Sequence, residues 1–411
     1  MPRAGVGSPA TGPGFRVLGP ASSPADRTTP GPQTEEAFAA FARELDQVRD
    51  DTRRQLGEVD AAYIKRLLYA IRIIESAGRG LLTLAGVFWP AWLAGTALLG
   101  LSKCLENMEF GHNVMHGQYD WLNDRRFDGK THDWDNACAK DDWRHFHNHM
   151  HHHYTNVLGV DRDFGYGMMR LSNDVPWERR NLTQALYAII VAFTFEWAIA
   201  IHNMEVEQLR GPEREAARER MLQLWPAVKA KMGRQIRRDY ILWPLLGGLA
   251  ALALGQGFVA GLVASLLGHV VANVLRNLWT FAVIFCGHFT DQIHTFDPAD
   301  VVGESKGHWY LRQCLGSANI SGGKVFHLLT GNLSHQIEHH LYPDIPARRY
   351  AEMAPRVREI CQRHGVPYHT GFFGRQMVTV AWRILRHAFP GGQRTLSAMA
   401  ASRRSDAPLQ R

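Results

Sequence analysis

The chain has 411 residues, 45% hydrophobic and 21% charged, with a formal net charge of +7, which excludes a wholly disordered chain and allows a sizeable folded body. The charge suits a nucleic acid or an anionic membrane surface, but the basic residues form no single tract interleaved with aromatics, which argues against nucleic acid. Five scattered cysteines, Cys104, Cys138, Cys286, Cys314 and Cys361, make no CxxC pair, so reduced thiols are expected rather than a disulfide scaffold or a thiolate metal site.

Residues 1–32 are rich in Pro, Gly, Ser and Thr and read as a disordered tail with no apolar signal core. Residues 33–78 read as an amphipathic helical segment. LLTLAGVFWPAWLAGTALLGL, residues 81–101, carries no charge and has the length a bilayer crossing needs; Pro90 either kinks one span or divides two short helices. A second apolar stretch, 182–201, is interrupted by Glu196 and either lies in the membrane interface or bends back. The segment between them and the next apolar run, GPEREAARERMLQLWPAVKAKMGRQIRRDY, is rich in Arg and Lys and reads as a cytoplasmic loop. Residues 241–289 are long enough for a two-span hairpin. The stretch 376–411 reads as a C-terminal helix and loose tail. The fold class expected is an all-α integral membrane protein, its number of spans left open.

Histidine is the anomaly, with 21 residues, nine of them between 112 and 153. In ENMEFGHNVMHGQYD, His112 and His116 are four apart, so on a helix both rings share one face. That spacing alone fits two surface histidines as well as ligands. In DWRHFHNHMHHHYTN, His147, His151 and His152 repeat the spacing and add an adjacent ring, whether the backbone is helix or strand. In GNLSHQIEHHLYP, His335, His339 and His340 repeat it again, and Pro343 limits the helix. These imidazoles exceed one ion's coordination shell, no cysteine accompanies them, and the HExxH of a zinc peptidase is absent. Imidazole suits iron and zinc alike, so the ligand type leaves the metal open. Two metal ions beside a membrane are expected.

HNVMH, HNHMHH and HQIEHH resemble the three histidine boxes of the integral-membrane fatty acid desaturase family, and their flanks resemble bacterial acyl desaturases of the linoleoyl-CoA type. The resemblance covers residues 60–375. It implies membrane helices, a desaturase domain over 79–375, and a cytosolic helical cap holding a di-iron centre. His112 and His116 match the first box, His147, His151 and His152 the second, and His339 and His340 the closing pair of the third. Either His335 or Gln336 fills the remaining position of that box. His288 in VIFCGHFTDQIHTF matches a further ligand, and an asparagine that binds through water in some relatives falls near Ile284. His269 and His294 are reserve candidates. Glu109, Asn148, Asn156, Asp161, Asp291 and Glu338 are candidates to fix ring orientation.

The chemistry the resemblance implies is O2-dependent removal of two hydrogens from adjacent carbons of a long-chain acyl group carried on CoA, a carrier protein or a lipid. Lys306, Arg312 and Lys324 are candidates for holding the headgroup, and residues 309–323 for shaping the entrance. No nucleotide-binding GxGxxG unit, iron–sulfur spacing or haem-binding HPGG occurs, so electrons are expected from a separate ferredoxin or similar donor fed by an NAD(P)H reductase. The expected location is the bacterial inner membrane, multi-pass, with the site facing the cytoplasm. A membrane di-iron hydroxylase and a histidine-rich metal transporter are the alternative functions.

Overall fold

The computed structural model describes residues 31–210 and 214–390, together with the backbone of Val17 and Leu18. The expected N- and C-terminal tails otherwise lie outside the described residues. Helix α1 (Glu35–Arg54) begins at Thr34, whose side chain accepts from the Ala37 N–H, and carries Glu35 and Glu36 in its first turn and Arg53 and Arg54 in its last. Both features satisfy the orphan groups and dipole of a helix. Its apolar face, Phe38, Phe41, Leu45 and Val48, packs into a core with Leu311, Leu341 and Tyr342.

Helix α2 (Glu58–Thr83) turns at residues 84–88 into α3 (Trp89–Cys104). Pro90 occupies the first turn of α3, where its missing N–H costs nothing. The apolar run 81–101 is therefore divided between two antiparallel helices and is not one span. Helix α3 continues through a π-helical turn (Leu105–His112) into α4 (Asn113–Met115). Helix α5 (Lys140–Trp143) likewise continues into a π-helical turn, Arg144–His151. Helices α6 (Gln184–Phe193) and α7 (Phe195–His202) meet at Thr194 with the chain bent by 110°. The second apolar stretch thus folds back on itself.

The expected basic loop is helical in its described part. Helix α8 (Arg214–Gln235) runs through Pro226 and a π-helical turn (Ile236–Leu242) into α9 (Trp243–Ala253). Helix α10 (Phe258–His288) returns antiparallel to α9 and also packs along α3. Among the described residues α10 is the one unbroken helix long and apolar enough to cross a membrane. Buried between these helices, Asp239 accepts from Lys103 Nζ at 2.8 Å and pairs with Arg79 at 2.9 Å, and Glu196 pairs with Arg276.

The remaining elements form the cap. They are α11 (Lys306–Gly316), α12 (Lys324–Leu329), α13 (Gln336–Leu341), α14 (Tyr350–Arg363) and α15 (Phe373–His387). Two small sheets tie it together. Strand β1 (Val17–Leu18) pairs antiparallel with β2 (Thr295–Phe296), and β3 (Asn319–Ser321) runs parallel to β4 (Thr370–Phe372). All five cysteines are free and buried.

Candidate metal centre

Three separated stretches of sequence meet where α3–α4, the turn after α5, and α13 converge under the C-terminal end of α10. Local backbone geometry aims the rings. An i→i+5 turn is wider than an α turn, so residues four and five positions on both lie back over the first. In the turn Arg144–His151, closed by the His152 N–H on the His147 carbonyl, this brings His151 and His152 to either side of His147. In the third stretch, Gly331 adopts φ +67°, and a Cβ there would lie 2.4 Å from the Met108 carbonyl oxygen. Only glycine lets the chain approach the first-box helix so closely.

The rings sort into two groups. Ligand atoms of His112, His116, His147 and His339 all lie within 4.8 Å of one another, as do those of His151, His288 and His340. His152 stands between the groups, its ring centroid 4.7 Å from those of His116 and His339 and 4.4 Å from that of His340. Nε2 atoms face each other at 3.3 Å in the His112–His147 pair and at 3.2 Å in the His288–His340 pair. The Gln336 side-chain amide lies 2.9 Å from His288 Nε2. His116 Nε2, His339 Nε2, both ring nitrogens of His152 and the Gln336 amide oxygen are buried with no hydrogen-bond partner. Buried polar atoms are normally paired, and so many convergent orphans fit the donor set of bound cations.

Protonation states agree. Burial, then the neighbouring imidazoles, pushes His147, His152, His339 and His340 well below their ordinary value, so these rings are neutral and free to ligate. Burial would also depress His151, but the carboxylates of Asp161 and Asp163 hold it above its ordinary value. His151 Nδ1 lies 3.0 Å from Asp161 Oδ2. That carboxylate also accepts the backbone N–H of Asn156 at 2.8 Å and of Asp163 at 3.0 Å.

Several expected supporting residues stand elsewhere. His335 sits beside His327, with ring centroids 4.6 Å apart, and belongs to neither group. Asp291 is exposed in the turn after α10. Glu338 accepts from Asn319 at 2.8 Å and Tyr368 at 2.7 Å, tying α13 to β3 and the segment before β4. Glu109 accepts from Tyr63 and Asn332, joining α2 and the third stretch to the first. Asn148 donates to the Met115 carbonyl at 2.9 Å, and Asn156 donates to the Gly316 carbonyl at 2.9 Å. His269 is bonded to the Ser265 carbonyl within α10 and stacks on Trp243. Arg312 is buried against Glu304 and the His153 carbonyl, so it is a structural cation and not a headgroup ligand.

Sequence reasoning did not identify Gln313, Thr155 and Tyr350 as supports. Gln313 Oε1 and Thr155 Oγ1 each lie 3.1 Å from His340 Nδ1, and Tyr350 Oη lies 3.4 Å from His339 Nδ1. Gln313 lies within the stretch expected to shape an entrance, on a buried helix. The two groups border a cavity of about 760 Å³ including its mouth. His112, His147, His151 and His288 line it together with apolar Phe195, Ile199, Ile284, Phe289 and Leu333 and with polar side chains that include Asp163 and Glu196. Ile284 is therefore a lining residue.

Comparison with known proteins places the chain in a family. The family model for fatty acid desaturase matches residues 88–372. The chain is 46% identical over 336 residues to an NADPH-dependent stearoyl-CoA 9-desaturase of Mycobacterium tuberculosis (strain CDC 1551 / Oshkosh), covering 81% of this chain and 76% of that one. It is 24% identical to an sn-1 linoleoyl-lipid 6-desaturase of Synechocystis sp. (strain ATCC 27184 / PCC 6803 / Kazusa), covering 74% of this chain and 82% of the relative. Three histidine boxes folded into one buried cluster, and a family match spanning all of them, have one conclusion: this chain is an oxidoreductase of the fatty acid desaturase family, an acyl desaturase.

Proposed function

We propose that the chain desaturates a long-chain acyl-CoA, using O2, a di-iron centre and electrons delivered by a separate protein. The observation that carries this reading is the convergence of eight imidazoles and Gln336 with unpartnered buried nitrogens. His112, His116, His147 and His339 would hold one iron, and His151, His288 and His340 with Gln336 the other, with His152 between them. When bound, the two irons supply O2 activation strong enough to remove hydrogens from unactivated methylenes. In the overall balance the acyl chain loses two hydrogens, and O2 with two electrons and two protons becomes two waters.

The protein's own contribution is shape and dryness. The apolar lining from Phe195, Ile199, Ile284 and Phe289 would keep an extended acyl chain against the histidines and keep bulk water from the reacting carbons. Asp161 would fix the His151 ring by accepting its Nδ1–H, leaving Nε2 to bind metal. Gln313 and Thr155 would fix His340 in the same way.

Identity to the mycobacterial relative supports stearoyl-CoA as the first substrate to try and NADPH as the electron source, passed through a reductase and a ferredoxin or similar donor. A multi-pass position in the bacterial inner membrane is supported by the apolar side chains left exposed on α3, α6, α9 and α10, among them Trp89 at 71%, Leu186 at 60%, Leu252 at 58% and Val259 at 69%. Patches of this kind need a cover, and lipid would supply it, with the histidine cap on the cytoplasmic side. The test is anaerobic iron loading, then stearoyl-CoA, reductant and O2, with mass spectrometry of the acyl product. Loss of two hydrogens, with the double bond at carbon 9, is expected; gain of one oxygen would assign a hydroxylase instead.

A further inference from the structure

The second histidine stretch has two faces. His147, His151 and His152 point into the cluster already described, while His145, His149 and His153 are exposed on the outside. The exposed three follow one another at intervals of four, so their rings form a ladder along the helix surface. Ring centroids are 5.0 Å apart for His149 and His153, and 6.2 Å apart for His145 and His149. Two imidazoles on one tetrahedral ion, with metal–nitrogen bonds of about 2.1 Å, place their centroids about 5 Å apart. The buried pairs show the same spacing, 4.6 Å for His112–His116 and 5.3 Å for His112–His147.

We propose that His149 and His153 form a second, solvent-facing site for a divalent first-row transition ion, with His145 within a side-chain rotation of joining them. Its ligands are imidazoles without carboxylate or thiolate, so affinity should climb from Mn2+ through Fe2+ to Ni2+. The site lies on the helix that carries the buried ligands, one face away from them, and takes its ion from solution without opening the core. It stands on exposed residues alone and does not depend on which metal fills the interior.

The experiment uses the full-length protein without an affinity tag, loaded with iron, purified in detergent and titrated with Ni2+ by equilibrium dialysis with metal analysis. One reversible Ni2+ per chain is expected above the buried metal. His149→Ala and His153→Ala should each weaken it by more than about tenfold, with the iron content and the desaturation product unchanged. Cu2+ in place of Ni2+ should show nitrogen superhyperfine structure in its EPR spectrum, lost in the double variant. Failure of the parent protein to hold Ni2+, or equal binding by the His149→Ala/His153→Ala variant, overturns the proposal. Either result leaves the desaturase reading untouched, because the iron content and the acyl product are measured on the same samples.

Discussion

His335 and Gln336 are adjacent, and only one of them faces the metal centre. The i,i+4 spacing from His335 to His339 suggests a shared helical face, but His335 is the residue before α13, with φ −99° and ψ 58°. The helical spacing rule therefore does not apply to it. Gln336, the first residue of the helix, turns inward to His288. Gln336→Ala should lower iron per chain and cut turnover by about tenfold or more, while His335→Ala should keep the parental iron content; metal analysis of both variants distinguishes them. The same scale governs Asp161. Asp161→Asn keeps the shape but removes the charge opposite His151 Nδ1, and should weaken metal retention by about 10–100-fold in a chelator competition assay. Eight of the clustered residues belong to the sequence boxes, which made them legible. Gln313 and Tyr350 were not, because they reach the rings from helices whose own sequences carry no ligand pattern.

At the scale of elements, apolar stretches announce that helices exist but not where they break. Pro90 opens α3 rather than bending it, and the bend at Thr194 follows no proline or glycine. The π-helical turns were equally hidden, since the letters HNHMHH read alike in an α or a π turn. Close approach between elements is sharper. Gly331→Ala should force the third box away from Met108, lowering both thermal stability by about 1–3 kcal/mol and iron retention, measured by detergent-phase unfolding and metal analysis. Asp239 is the hub of a buried network that takes Lys103, Arg79 and Arg238; without it Lys103 keeps only Asp135, at 3.7 Å, and Arg79 only Glu75, at 3.0 Å. Asp239→Leu should cost about 3–5 kcal/mol, and an unchanged unfolding midpoint would contradict that assignment.

At the scale of the whole molecule, the histidine core sets a dependence on pH. The neutral rings of His147, His152, His339 and His340 are held well below the ordinary value of 6.5. An unfolded chain would take up protons that the folded one refuses. Their contribution to stability is thus complete above that value and is lost as pH falls below it. His151 has the opposite sign, favouring the folded metal-free state at low pH and losing that contribution as pH rises through its raised value, but it is one ring against four. Metal-free protein should unfold at lower temperature at pH 5.5 than at pH 7.5. Iron should raise the unfolding temperature most at the higher pH, where the ligands are deprotonated, and so widen that difference.

The central claim is that two irons sit in this one histidine cluster. Iron per chain, measured on gently purified full-length protein and on its His152→Ala variant, tests it most directly. Near two irons in the parent and a clear loss in the variant, since His152 stands between both groups, is the predicted result. A single zinc in the parent, or two irons retained in full by the variant, would contradict the account.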